Sequence, residues 1–200
     1  MGKKHLKPTY NGIVFDSEDE IQMMKWCEEA KNNGFIKDFI YHPEPFSLSD
    51  FVYEHISSTK ILKTKTIQET KRRTLLQPCT YKPDFVLIEP IPFIHKLFRG
   101  VSDEREVLID IKGSFCVQTA QMQVFSIVRK WVYQKYEKFV NKVIIKDFFT
   151  KTFAPDSVRV GKSGKMLSKF KDCPSLEDFK KRIEIESATV KEFITNGKQQ

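Results

Sequence analysis

The stretch VLIDIKG, Val107–Gly113, is apolar enough to vanish into a core, yet it carries an acid and a base two residues apart. Dense in Val, Ile and Leu and stopped by a glycine, it reads as a buried strand. Side chains at i and i+2 of a strand share a face, so Asp110 and Lys112 project together while Val107, Ile109 and Ile111 project from the other side. An ionised carboxylate in such a run is costly without a partner. That partner is either a structural cation, Lys112 or Arg105, or a bound metal ion.

Upstream, TYKPDFVLIE (residues 80–89) reads as a second such strand, entered through Pro83 and Asp84. Taken alone this is an ordinary strand entry, since Pro is tolerated at a first strand position and Asp is common at turns. Pairing the two strands would bring Asp84 beside Asp110, close enough to share one divalent cation. Two carboxylates, a backbone carbonyl and water suit Mg²⁺, which keeps several waters and favours phosphate substrates; Mn²⁺ would fit the same set. Lys112 would then offset charge developing on a scissile phosphate, or, with a depressed pKa, take a proton from the attacking water.

The rest of the composition agrees with a globular phosphate-handling protein. Two hundred residues make one substantial domain with room for an appendage, and 40% hydrophobic content with only 8 Gly and 9 Pro excludes disordered and fibrous classes. Lys and Arg number 34 against 26 Asp and Glu, a net charge of +8 that favours a polyanionic partner. No apolar run approaches the roughly 18 to 20 residues of a spanning helix, and the start MGKKHLKPTYNG has no signal-like apolar segment, so the expectation is a cytoplasmic protein with no membrane partner. Leu6 stands where a myristoylation motif wants Ser or Thr. Cys27, Cys79, Cys116 and Cys173 form no C-x-x-C pair, and His5, His42, His55 and His95 are equally scattered, so any metal should have oxygen ligands.

Along the chain, FDSEDEIQMMKWCEEAKNNG predicts a helix over about 18–33, and FIKDFIYHPEPFSLSDFVY predicts short strands interrupted at Pro43 and Pro45. The basic, alternating stretch from Ser57 to Gln77 predicts a strand or an exposed hairpin. The two apolar strands should occupy the middle of the sheet, joined by the loop PIPFIHKLFRGVSDE. Residues 118–139 predict a long amphipathic helix, NKVIIKDFF a further strand, and the tail a basic loop with one or two helices, the first capped through Ser175-x-x-Asp178. Trp26, Trp131 and Tyr133 are expected in the core. GKSGK at 161–165 lacks the upstream glycine of a Walker A loop, so Arg159, Lys162, Lys165, Lys169 and Lys171 read as a solvated or phosphate-contacting loop.

The residues also carry a resemblance. Pro83-Asp84, followed 26 residues after the aspartate by Asp110-Ile111-Lys112, resembles the PD-(D/E)xK motif of the restriction-endonuclease-like nuclease superfamily. With NGIVFDSEDEIQMMKW and FIKDFIYHPEPFSL before it, the chain looks like the small phage-encoded endonucleases of that superfamily, relatives of Holliday-junction resolvases, over roughly Asn11 to Phe149. The resemblance implies an α/β protein with a restriction-endonuclease-like core, a mixed central sheet flanked by helices over 1–150, and a basic and helical extension over 151–200. It implies a Mg-dependent (or Mn-dependent) endodeoxyribonuclease acting in a host cytoplasm, on branched, replicative or recombination DNA, leaving 5′-phosphate and 3′-hydroxyl ends. A homodimer would suit paired cuts.

In that family pattern Asp84 and Asp110 are metal ligands with the Ile111 carbonyl, and Lys112 is the water-activating or charge-stabilising residue. The glutamate of F-D-S-x-x-E, here Glu20, approaches the metal. Glu20 also follows Ser17 at capping-box spacing, so its carboxylate could instead accept the Ser17 backbone N–H. Family members often carry Q-x-x-x-Y on the next helix; Gln121-x-x-x-Phe125 keeps the glutamine, so Gln121 or Gln118 would contact the phosphate or a metal-bound water. The 57–77 stretch and the tail have no counterpart in the pattern. The alternative is a nucleic-acid-binding protein that keeps the fold without turnover, which the survival of all the motif charges disfavours.

Overall fold

Alternation in the two apolar runs fixes a sheet with both faces covered, and everything else in the chain is arranged to cover it. The computed structural model describes residues 7–99, 105–113, 120–161 and 163–196, so Cys116, Gln118 and Lys162 lie outside the described residues. In chain order, β1 (Thr9–Tyr10) and β2 (Ile13–Val14) form a small hairpin before α1 (Glu18–Asn32). Its turn is Asn11-Gly12, at φ of 49° and 77°, the positive values that two-residue hairpin loops require. Then come β3 (Asp38–Tyr41), β4 (Phe46–Ser49), β5 (Val52–Ile61), β6 (Thr66–Leu76), β7 (Cys79–Tyr81) and β8 (Phe85–Ile88). The one-turn helix α2 (Pro92–His95), β9 (Glu106–Ile111), α3 (Ala120–Tyr136), β10 (Val140–Val143), α4 (Ile145–Lys151), α5 (Asp156–Arg159), a 3₁₀ turn at Ser168–Phe170 and α6 (Leu176–Asn196) complete the chain.

The fold is mixed α/β. Its main sheet has the order β10-β9-β8-β3, so the two apolar strands do stand in the middle. β8 and β9 are antiparallel with Phe85 opposite Ile109, and β9 and β10 are parallel with Val143 opposite Ile111. The parallel step is the one that needs a crossover helix, which α3 supplies. Two further pairs, β4-β7 and β5-β6, stand outside this sheet.

Each face of the sheet has its own apolar cluster. Val107, Ile109 and Ile111 of β9 join Phe85, Leu87 and Val143 against α1, α4 and α6; Leu108 joins Val86 and Val140 against α3, through Phe125 and Val132. Trp26 of α1 is fully buried, with Phe148 at 4.7 Å edge-on and Phe153 at 5.6 Å. The residues after 150 enter the same cluster: Phe153, Ala154, Val158, Phe170, Cys173 and Phe179 are all buried, and Phe179 meets Phe35 at 5.2 Å.

Several expectations are corrected. The segment NKVIIKDFF is not one strand: β10 ends at Val143, and Ile145, Phe148 and Phe149, spaced three and four apart, are buried on one side of α4. Within the described residues the loop after β8 contains α2, started by Pro92 at the first helical turn where a missing N–H costs nothing. Trp131 and Tyr133 lie on the outer side of α3, 38% and 50% exposed, because Phe125 and Val132 already fill the inner side. Arg159 is turned inward beside Asp156 rather than solvated, its side chain 12% exposed. Of the cysteines, Cys27 and Cys173 are buried free thiols and Cys79 is half-buried. Among the described residues, no helix is long and apolar enough to cross a membrane.

Candidate active site

Asp84 stands at the entry to β8 and Asp110 one residue from the end of β9. β8 and β9 pair as far as Phe85 opposite Ile109, so Asp84 and Asp110 each stand one residue beyond the last paired position, near enough for the Asp110 charge to act on Asp84.

Local hydrogen bonds fix Asp84 on three sides. Its Oδ2 accepts from the Ile111 N–H at 2.6 Å, its own N–H donates to the Ile109 carbonyl at 2.9 Å, and its carbonyl accepts from the His42 N–H at 2.9 Å. A strand residue directs its N–H and C=O to the same side, so the Ile111 carbonyl also faces the β8 side.

Asp110 is 3% exposed. Its Oδ2 accepts from the Tyr81 hydroxyl at 2.5 Å, and its Oδ1 touches the Lys112 ammonium without any well-directed hydrogen bond. Lys112 lies over the Phe125 ring at 5.2 Å, and its backbone N–H is held by the Val143 carbonyl at 2.9 Å. The i, i+2 spacing therefore presents acid and base together. Burial and then the Asp110 charge push the Asp84 carboxyl up to about 7, against the Ile111 N–H, which favours its ionised form. Burial and the same Asp110 charge push the Tyr81 phenol well above its usual range, so it stays a donor.

Glu20 lies in the first turn of α1, against Tyr41 of β3. Ser17 is the N-cap, its hydroxyl oxygen accepting from the Glu20 N–H at 3.2 Å and its O–H donating to Glu20 Oε1 at 3.0 Å. The other half of the box is displaced by one residue: Glu20 Oε2 accepts from the Asp16 N–H at 3.2 Å rather than from that of Ser17. The same oxygen accepts from the Tyr41 hydroxyl at 2.8 Å. Burial and this bond push the Tyr41 phenol far up. Glu20 is thus a cap, yet its charge is also among those that raise the Asp84 carboxyl, so the two acids lie within electrostatic reach.

Ligand atoms of Asp16, Glu20 and His42 lie within 4.8 Å of one another, a grouping that includes neither Asp84 nor Asp110. Gln121 falls in the first turn of α3, but its side chain lies outside what is described, as does Gln118.

The reading of the sequence missed Tyr81, Tyr41, Asp16 and His42. Neither Tyr81 nor His42 had a local signal: Tyr81 meets Asp110 across 29 residues, and the β3 to β8 register brings His42 to Asp84. The donor set fits a hard cation: carboxylates, a backbone carbonyl, and a buried Asp110 oxygen that touches the Lys112 ammonium and, among the described residues, has no well-directed hydrogen bond. No family model, curated protein or solved structure matches this chain.

Proposed function

We propose that this chain is a metal-dependent DNA endonuclease with a restriction-endonuclease-like core, hydrolysing phosphodiester bonds on Mg²⁺ or Mn²⁺. The observation that carries the reading is the neighbouring pair Asp84 and Asp110, with the Ile111 N–H on Asp84 and Lys112 against Asp110. Half-buried Asp84 lies beside buried Asp110, and burial together with the Asp110 charge raises the cost of ionising Asp84. A divalent cation, when bound, offsets both charges, polarises the phosphate and activates water.

Asp84, Asp110 and the Ile111 carbonyl would hold the ion. Lys112 would leave Asp110 to the ion, turn toward the phosphate, and either stabilise the added negative charge or accept a proton from water. The water oxygen bonds to phosphorus, the P–O3′ bond breaks, and the leaving oxygen takes up a proton, giving 5′-phosphate and 3′-hydroxyl ends. Tyr81 would keep Asp110 oriented throughout, and Glu20 would contribute charge from the first turn of α1.

The test is cleavage by the full chain of linear, branched and single-stranded DNA with Mg²⁺, Mn²⁺ or EDTA. Cutting that depends on metal and is lost in Asp110→Asn supports the reading. A protein that binds these DNAs and cuts none of them overturns it in favour of a non-catalytic binder.

A further inference from the structure

Among the described residues, strands β5 and β6 pair only with each other, and every one of their residues is exposed except half-buried Glu54. Ten and eleven residues long, they make a ribbon of roughly 33 Å at the usual rise per residue. A free two-stranded ribbon is marginal in water, and this one leaves Ile61 81% exposed near its tip, so it is built to lie against something. Between Val52 and Leu76 stand six Lys and Arg residues against two carboxylates, and Lys63 and Lys65 sit at the tip.

The two faces differ. Register places Tyr53, His55, Ser57, Thr59 and Ile61 on one face with Thr66, Gln68, Thr70, Arg72 and Thr74. That face carries no carboxylate. Its Arg72 guanidinium is fixed over the Tyr53 ring at 3.7 Å. The opposite face holds both acids, Glu54 paired with Arg73 at 2.5 Å and Glu69 with Lys71 at 3.4 Å, together with Lys60.

We infer that this ribbon is an arm that enters the major groove of B-form duplex DNA with its acid-free face inward. The major groove admits a two-stranded β-ribbon, and the Arg, Gln, Thr and Ser of that face are the side-chain types that bond base edges and phosphates. The opposite face would place Glu54 and Glu69 against phosphates. The arm's length matches one duplex turn of about 34 Å. Its root is β4-β7, and β7 delivers Tyr81 to Asp110 and runs on to Asp84, so a duplex held by the arm passes the site. The choice of DNA as the polymer rests on the proposed function; the face and groove rest on the arm alone.

The test measures affinity of the full chain, in EDTA, for a duplex DNA and a duplex RNA of equal length. Gln68→Ala with Arg72→Ala should weaken duplex DNA binding roughly tenfold or more and remove the preference over RNA, whose major groove is too narrow for a ribbon. Lys60→Ala with Lys71→Ala removes more charge but should weaken binding less. An equal or larger loss from the lysine pair overturns the assigned face, and no loss from either overturns the arm. A Gln68/Arg72 variant that changes oligomeric state in sedimentation while keeping its DNA affinity overturns it in favour of a second copy as occupant. This binding pattern in a parent that cuts nothing with Mg²⁺ supports the arm and overturns the endonuclease.

Discussion

Removing one oxygen from Tyr81 is the sharpest probe of the site. In Tyr81→Phe the ring keeps its packing, but Asp110 Oδ2 loses its donor at 2.5 Å in a position that is 3% exposed. Hydrogen bonds to charged groups contribute about 1.5–3 kcal/mol, and little water can replace this one. For a chain of this size each kcal/mol shifts the melting temperature by about 2–4 °C, so the variant should melt roughly 5–10 °C below the parent in EDTA. Saturating Mg²⁺ should shrink the difference, because the ion takes over the carboxylate. The decisive comparison is a double-mutant cycle with Asp110→Asn, since removing the charge should remove most of the cost of losing the hydroxyl. A Tyr81→Phe protein as stable as the parent in EDTA, or an unchanged penalty in the Asp110→Asn background, would refute the idea that the phenol exists to satisfy Asp110.

Three other outcomes are expected. Asp84 has its carboxyl raised to about 7 by burial and Asp110, so the folded state holds a proton that the unfolded chain has released. Unfolding then releases it, and this group's contribution falls as pH climbs from about 4 to 7; the metal-free protein should melt higher at pH 5 than at pH 7.5, and Asp84→Asn should flatten that slope in a calorimetric series. Lys112→Gln should retain DNA binding in EDTA and lose about 10²–10⁴-fold in Mg²⁺-dependent cleavage rate, the usual scale for a proton-transfer group; undiminished cutting would remove Lys112 from the chemistry. Ser17→Ala should cost about 1 kcal/mol in a denaturant melt and leave cleavage intact, whereas Glu20→Gln should depress cleavage, separating the cap from the charge.

The strand pair was legible because β-periodicity and charge coincide: Asp110 and Lys112 interrupt an apolar run at a two-residue spacing, so their shared face followed from geometry alone. The helix at Ser17 was equally plain, since cap and amphipathic body are local signals. What stayed hidden depends on contacts distant in sequence. Tyr81 reaches Asp110 across 29 residues, and His42 reaches Asp84 only through the β3 to β8 pairing. Residues 140–149 misled because Val, Ile and Phe suit strand and helix alike; only the three- and four-residue spacing of Ile145, Phe148 and Phe149 tells them apart. Trp131 and Tyr133 misled because an aromatic on a long helix says nothing about which side is already full.

The hydrogen bond from the Lys112 N–H to the Val143 carbonyl sets the smallest unit that can possess the site. Pro83, Asp84, Asp110 and Lys112 all lie before Gly113, yet the strand that anchors the lysine's backbone is reached only after α3 has crossed the sheet. A segment cut after Gly113 would carry these four residues and lack the strand that holds the lysine in register. Recognition of the motif therefore ends some thirty residues before the fold has finished making it.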